Sequence, residues 1–152
     1  MTALGLPRHV LVPHDFSDTA QAALDYAVAL AGKLQARVTV LHCYELPSYG
    51  FPEGVGLTAE LVQGIQHASE DGLKAVTAKA RRPGLEVAEL LRQGPAWSEI
   101  DAVARAAKVD LVVMGTHGRK GLSRALLGSV AEKVVRTAPC PVLTVRLPEP
   151  TR

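Results

Sequence analysis

Two glycine-containing segments near the C-terminal end of the chain have the spacing of a phosphate-binding loop. Gly115-Thr116-His117-Gly118 follows the apolar run 111–114, and Gly128-Ser129 comes nine residues later, just before the helical pattern of 130–136. Glycines let the backbone turn with positive φ and let an anion approach closely. A helix N-terminus adds unpaired N–H groups and the positive end of the helix dipole. The pattern predicts that this loop holds a phosphate, although three glycines beside a strand are also compatible with an ordinary turn.

Two other phosphate motifs are absent from the sequence. No Gly-Lys-Ser or Gly-Lys-Thr triplet occurs, so the loop is not that of a P-loop nucleotidase. The turn after the first predicted strand contains no glycine, which argues against a dinucleotide fingerprint.

The elements that position this loop alternate along the whole chain. Short apolar runs at 9–13, 38–42, 86–91, 111–114 and 142–145 predict strands. Helical patterns lie between them, beginning at Asp18, Thr58, Pro95 and Ser129. Because the strands are continuous apolar runs, we expect a doubly wound α/β domain over 1–152, with a parallel sheet and helices on both faces.

Two helix N-termini carry the signature of a capping box. Asp18 is followed by Gln21, and Ser129 is followed by Glu132. Asp18 and Ser129 are therefore predicted as N-cap residues, each with a side-chain oxygen that accepts a backbone N–H.

Polar residues gather where the predicted strands end. Ligands of such sheets bind outside the carboxyl ends of the strands, which places the segments 13–15, 42–43 and 114–118 on one rim. His14, His42 and His117 could form a metal site there with Asp15 and Cys43, but no short-spaced ligand pair fixes the geometry, and no metal ligand is assigned.

The sequence offers no clear catalytic machinery. It contains no G-x-S-x-G elbow, no evident nucleophile and base pair, and no carboxylate cluster. We therefore assign no catalytic residue, and we expect binding with at most slow hydrolysis.

Composition narrows the class of protein. The chain has 152 residues, 47% hydrophobic and 21% charged, with a net charge of +2. These values are typical of one soluble domain and give no reason to expect a nucleic-acid or membrane partner. Two cysteines form no motif, and no apolar leader or ~20-residue apolar run is present, so we expect a cytoplasmic protein.

Three stretches resemble the universal stress protein family, and specifically its ATP-binding branch. They are the segment 10–17 (VLVPHDFS), the G-x2-G-x9-G-S loop, and the segment 138–143 (APCPVL). The resemblance spans essentially the whole chain. It implies a five-stranded parallel sheet of order 3-2-1-4-5, a homodimer, and a role in stress survival with ATP bound.

The resemblance also assigns roles to individual positions. Asp15 would contact ribose or adenine, Cys43 would lie against adenine, and Met114 and Gly115 would flank ribose and phosphates. His14 stands where the family has threonine. Apart from the resemblance, the residues themselves indicate that His117 contacts a phosphate or caps the loop, that Arg119 offsets phosphate charge, and that a Mg²⁺ ion accompanies the nucleotide phosphates. The complete predicted set is Pro13, His14, Asp15, Cys43, Met114, Gly115, His117, Gly118, Arg119, Gly128, Ser129 and Val130.

Three functions remain open from the sequence. The first is a dimeric ATP-binding module, the second a slow ATPase or phosphotransferase, and the third a structural dimer without a physiological nucleotide. The segment 47–56 is either a lid over the base or an ordinary loop. The fifth strand, 142–145, would be a bare apolar sheet edge and is the predicted dimer contact.

Overall fold

The strands and helices follow one another in the predicted alternation. The computed structural model describes residues 4–48, 56–117 and 126–147. The strands are β1 (His9–Pro13), β2 (Arg37–Tyr44), β3 (Val87–Gln93), β4 (Leu111–Gly115) and β5 (Val142–Val145). The helices are α1 (Asp18–Leu34), α2 (Ala59–Ala80), α3 (Ala96–Ala106) and α4 (Ser129–Thr137).

The strands form one parallel sheet in the order β3-β2-β1-β4-β5, which confirms the predicted topology. β1 lies at the centre and pairs with β2 on one side and β4 on the other. The chain therefore adds β2 and β3 on one side of β1 and later adds β4 and β5 on the other side. Such a change of direction opens a crevice at the carboxyl ends of the two strands that flank it.

Both faces of the sheet are covered by helices, as predicted. Val10 and Val12 of β1 pack with α1 and α2, whereas Leu11 packs with α3 and α4. This alternation follows from the two-residue period of a strand. Because each face is buried, the central strands consist of apolar residues throughout.

β2 and β3 extend two residues beyond their predicted ends. Their parallel register continues through the pairs Cys43↔Arg92 and Tyr44↔Gln93. Backbone pairing with a neighbouring strand thus carries the sheet past the end of the apolar pattern. The extension also brings Cys43 to the rim on which the predicted site lies.

The predicted cap of α1 is wrong by one residue. Ser17 is the N-cap, and its side chain accepts a hydrogen bond from the N–H of Ala20 at 3.2 Å. Asp18 is instead the first helical residue, where its charge favours the helix dipole. Within the described residues, no helix is long and apolar enough to cross a membrane.

Burial lowers the pKa of two histidines, His9 and His14, below the usual 6.5. His9 lies at the opposite end of β1 from the crevice, with Nε2 2.8 Å from the Thr39 hydroxyl. His14 follows β1 at the crevice end. In both cases burial is the largest cause of the shift, and for His9 the charge of Arg37 adds to it.

We expect acid to destabilise the fold through these two histidines. An unfolded chain takes up protons near pH 6.5, before the folded chain does, so their contribution is complete above that pH and is lost as the pH falls toward the folded values. Urea unfolding at about pH 7.5 and about pH 5.5 should show a lower midpoint in acid with an unchanged slope. An equal or higher midpoint in acid would contradict this expectation.

Candidate functional site

A cavity of about 480 Å³ opens at the carboxyl ends of β1, β2 and β4. Its volume falls within the range of ~300–1,000 Å³ that is common for small-molecule sites. It lies at the point where the strand order changes direction, which is where sheets of this kind bind ligands.

The cavity brings together the predicted site residues that lie within the described part of the chain. These are Pro13, His14, Asp15, Cys43, Met114, Gly115, His117, Gly128, Ser129 and Val130. Gly118 and Arg119 lie outside the described residues, so their placement stays a prediction. The ligand roles of the whole set remain proposals, which are taken up below.

Thr116 lies in the predicted rim segment 114–118, but sequence reasoning missed several other lining residues, namely Ala20, Leu41, Glu45, Ala96, Ile100 and Ala131. In the sequence, Leu41 and Ile100 are recognisable only as core residues, and in the structure each is almost fully buried beneath the crevice. Their contribution to the cavity depends on how β2 and α3 are placed side by side, which periodicity alone does not reveal.

The N-terminus of α4 opens onto this cavity without a side-chain cap. Gly128 is the N-cap residue, and the helix has no side-chain cap hydrogen bond. The first helical hydrogen bond runs from the N–H of Glu132 to the carbonyl of Gly128 at 2.9 Å. The amides of Ser129, Val130 and Ala131 therefore precede any acceptor inside the helix, and all three residues line the cavity.

The prediction that Ser129 caps α4 is accordingly wrong. The helix begins one residue earlier than the capping-box pattern suggests, so Ser129 is the first helical residue. Its amide is one of the first amides of the helix, which have no acceptor within the helix itself.

Gly115 and Gly128 are required by close packing, and neither has the positive φ that the sequence argument invoked. A Cβ on Gly115 would lie 2.9 Å from the backbone of Thr19, and one on Gly128 would lie 2.9 Å from the carbonyl oxygen of Thr116. The N–H of Gly128 also donates to that oxygen at 2.7 Å. The contact at Gly115 thus places the end of β4 against α1, and the contacts at Gly128 hold the start of α4 against the residue that follows β4.

His117 adds a polar group to the same end of the cavity. Its Nδ1 lies 2.9 Å from the hydroxyl of Thr116, and the Thr19 hydroxyl donates to its carbonyl oxygen. Its Nε2 is buried and has no hydrogen-bond partner among the described residues. Because Nδ1 is engaged by Thr116, any further hydrogen bond of this ring has to be made through Nε2.

Asp15 lines the cavity and is held by its own loop. Its Oδ1 accepts hydrogen bonds from the N–H of Ser17 at 3.0 Å and from the Ser17 hydroxyl at 2.5 Å. A carboxylate fixed in this way is ready to accept hydrogen bonds from ligand hydroxyls.

Cys43 lies in the apolar part of the cavity with Leu41, Ala96 and Ile100. Burial, followed by the negative charge of Glu99, raises the pKa of its thiol to about 12. The thiol is therefore neutral at physiological pH and presents a small apolar surface rather than a nucleophile.

The lining of the cavity combines two kinds of group. The first amides of α4 and His117 suit an anion, and the apolar side chains of β2 and α3 suit a flat ring. In the described ranges no group of three or more His, Cys, Asp or Glu side chains is arranged to hold a metal ion. The arrangement therefore fits an amphipathic ligand with an anionic tail.

Comparison with known proteins identifies a matching family, similar sequences and similar structures. Residues 7–146 match the model of the universal stress protein family. Universal stress protein MJ0531 of Methanocaldococcus jannaschii is 34% identical over 149 residues, which is 95% of this chain and 85% of the relative. The structure of hypothetical protein MJ0577, from the same organism, superposes with a TM-score of 0.80 at 25% identity, over 96% of this chain and 100% of the other.

A further solved structure is a universal stress protein in complex with cAMP. It has a TM-score of 0.71 and 24% identity, over 93% of this chain and 98% of the other. At this identity the likeness shows a shared fold.

Proposed function

Because this chain belongs to the universal stress protein family, we propose that it is a dimeric, cytoplasmic stress-response protein that binds ATP in the cavity at the ends of β1, β2 and β4. In this proposal the nucleotide acts as a ligand that alters the shape or partners of the protein.

The observation that carries the proposal is the uncapped N-terminus of α4. The amides of Ser129, Val130 and Ala131 precede any acceptor within the helix and lie along the cavity. A helix N-terminus of this kind stabilises a phosphate through its N–H groups and its dipole. His117 lines the same cavity, and its Nε2, which has no hydrogen-bond partner among the described residues, would supply a further polar contact.

The remaining parts of the cavity suit the rest of the nucleotide. The apolar walls at Leu41, Cys43 and Ile100 would enclose adenine, and Asp15 would accept hydrogen bonds from ribose hydroxyls. Pro13, Met114 and Gly115 would pack along the ribose and the first phosphate. The complex of a family member with cAMP is consistent with an adenine nucleotide.

The charge of the phosphates requires further compensation. Among the described residues that line the cavity there is no lysine or arginine. We propose that Gly118 and Arg119 complete the phosphate site and that a Mg²⁺ ion accompanies the phosphates, since a magnesium ion commonly binds through phosphate oxygens.

We expect ATP with Mg²⁺ to stabilise the protein measurably. At about 100 times its dissociation constant, a ligand that binds only the folded state adds ~2.7 kcal/mol, which corresponds to a rise of about 5–10 °C in Tm for a chain of this length. Thermal melts compare three samples: ATP with Mg²⁺, ATP without Mg²⁺, and NAD. The rise in Tm should be largest with ATP and Mg²⁺. No shift with ATP, or an equal shift with NAD, would refute the proposal.

A phosphate-release assay on the same samples addresses the enzymatic alternative. Hydrolysis at or above ~10 s⁻¹, the median for enzymes, would show that the protein acts as an ATPase rather than as a binding module.

A further inference from the structure

Successive side-chain acceptors hold the loop that carries Asp15. Nδ1 of His14 accepts a hydrogen bond from the N–H of Phe16 at 3.0 Å, and Oδ1 of Asp15 accepts one from the N–H of Ser17 at 3.0 Å. Ser17 in turn caps α1 through Ala20. The first two bonds each join a side chain to the amide two residues later, the geometry by which Asn and Asp stabilise turns.

Phe16 occupies an unusual backbone conformation at the centre of this loop. Its φ is +67°, in the left-handed region that is uncommon for a residue other than glycine. Such a conformation persists only where the surroundings hold it in place. The Phe16 side chain therefore needs fixed partners, as does its amide.

Those partners come from β2 and α2. The ring of Phe16 stacks on His42 with centroids 4.2 Å apart and an interplanar angle of 27°. The far end of the ring lies against Gly72 of α2, where a Cβ would lie 2.7 Å from it. His42 also bonds through Nδ1 to the carbonyl of His14 at 2.7 Å. The loop is thus packed tightly, and the amide of Phe16 donates to a side-chain acceptor.

That acceptor is the ring of His14, which is only 4% exposed. Nδ1 can accept the Phe16 amide only in the neutral ring, whose proton is then on Nε2. The groups that influence the ring are Asp15 on the loop itself, Gln21 and Asp25 of α1, and His42 of β2, while α2 presents Gly72 to Phe16. Burial is the largest influence and lowers the pKa of His14.

We propose that His14 is a positioning residue for Asp15: its neutral Nδ1 holds the amide of Phe16, which fixes the turn that presents Asp15 to the ligand. The inference rests on the proposed ATP site and extends it to a residue that acts through the loop. Protonation of the ring replaces the acceptor with a second donor, so the bond is lost and ligand affinity falls in acid. A threonine at this position would have a hydroxyl oxygen able to accept the same amide.

The test compares side chains at position 14 that keep or remove the acceptor. His14→Asn and His14→Thr keep an oxygen within reach of the Phe16 amide, whereas His14→Leu has none. Titration with Mg²⁺-ATP, followed by the fluorescence of Trp97, the only tryptophan of the chain, gives Kd. Trp97 is next to Ala96, which lines the cavity. His9→Asn, at the other end of β1, is the matched buried-histidine control.

At neutral pH we expect His14→Leu to raise Kd about tenfold, the factor that ~1.4 kcal/mol produces. His14→Asn and His14→Thr should restore most of the affinity, and His9→Asn should bind like the wild type. Protection of the Phe16 amide from hydrogen exchange should be lost in His14→Leu and retained in His14→Asn.

The pH profile separates positioning from a purely structural role. The affinity of the wild type should decline in acid more steeply than that of His14→Asn, which cannot titrate at this position. Phosphate groups titrate near pH ~6, and the comparison of the two proteins cancels this effect. If the wild type binds ATP and His14→Leu binds equally well, or if the two pH profiles coincide, the inference is wrong. If the wild type does not bind ATP, the proposed function itself fails, and the inference fails with it.

Discussion

Gly128→Val is expected to abolish ATP binding, with an increase in Kd of about 100-fold or more, equivalent to ~2.7 kcal/mol. A Cβ at this position would lie 2.9 Å from the carbonyl oxygen of Thr116, which already accepts the amide of Gly128. A branched side chain must therefore push the start of α4 away from the end of β4. The amides of Ser129 and Val130 would then no longer converge on the site of the phosphates.

Gly5→Val is the matched control, because a Cβ on Gly5 meets nothing within 4 Å. It should leave both Kd and the Tm unchanged. Circular dichroism establishes whether Gly128→Val folds, and Gly128→Ala, with a smaller intrusion and an expected intermediate Kd, provides a second measurement if it does not. Wild-type affinity in a folded Gly128→Val protein would show that the phosphates do not bind at α4.

The order of elements and the location of the cavity were predictable from the sequence, because both follow from patterns that repeat along the chain. Strands buried on both faces are continuous apolar runs, and their alternation with helices leaves few topologies. Once a parallel sheet is expected, the rule that ligands bind at the carboxyl ends places Asp15, Cys43 and Met114 together.

The helix starts were less predictable, because a capping motif can be satisfied in more than one register. Asp18 and Ser129 each begin a matching pattern, but Ser17 caps α1 and Gly128 precedes α4. At α4 the contact between Gly128 and Thr116 decides the register, and this contact depends on how β4 and α4 meet in three dimensions.

The role of His14 was also beyond the sequence argument. Position 14 follows β1 on the predicted rim, which suggests direct contact with a ligand. The hydrogen bond from the Phe16 amide to Nδ1 of His14 depends on the left-handed backbone conformation of Phe16. The packing of the Phe16 ring depends on Gly72, which is distant in the chain. Neither feature leaves a periodic signal.

The second large effect is expected at β5, the strand through which the proposed dimer would form. β5 is a sheet edge, as expected from the predicted strand order. The carbonyls of Pro141 and Val145 accept hydrogen bonds from β4, at Val112 and Thr116 respectively. Since the backbone groups of successive strand residues point to opposite sides, the N–H and carbonyl of Thr144 face the open edge.

Thr144→Pro is therefore expected to convert the proposed dimer into a monomer. It removes the edge N–H while leaving the pairing with β4 intact, and the Thr144 side chain is exposed, so no core contact is lost. Leu143 and Val145, in contrast, pack against the core, and substitutions there would perturb the fold as well as the edge. Thr144→Val retains the N–H and is the matched control.

Light scattering at micromolar concentration should give the mass of two chains for the wild type and for Thr144→Val, and of one chain for Thr144→Pro. If the proline variant fails to fold, Thr144→Lys tests the same edge, since a lysine on an edge strand opposes strand pairing without removing a hydrogen bond. A wild-type mass of one chain, or a dimer that survives both Thr144→Pro and Thr144→Lys, would exclude β5 as the contact. Because two β5 edges related by a two-fold axis satisfy each other completely, pairing at this edge stops at two chains and leaves both cavities, at the strand ends, open to ligand.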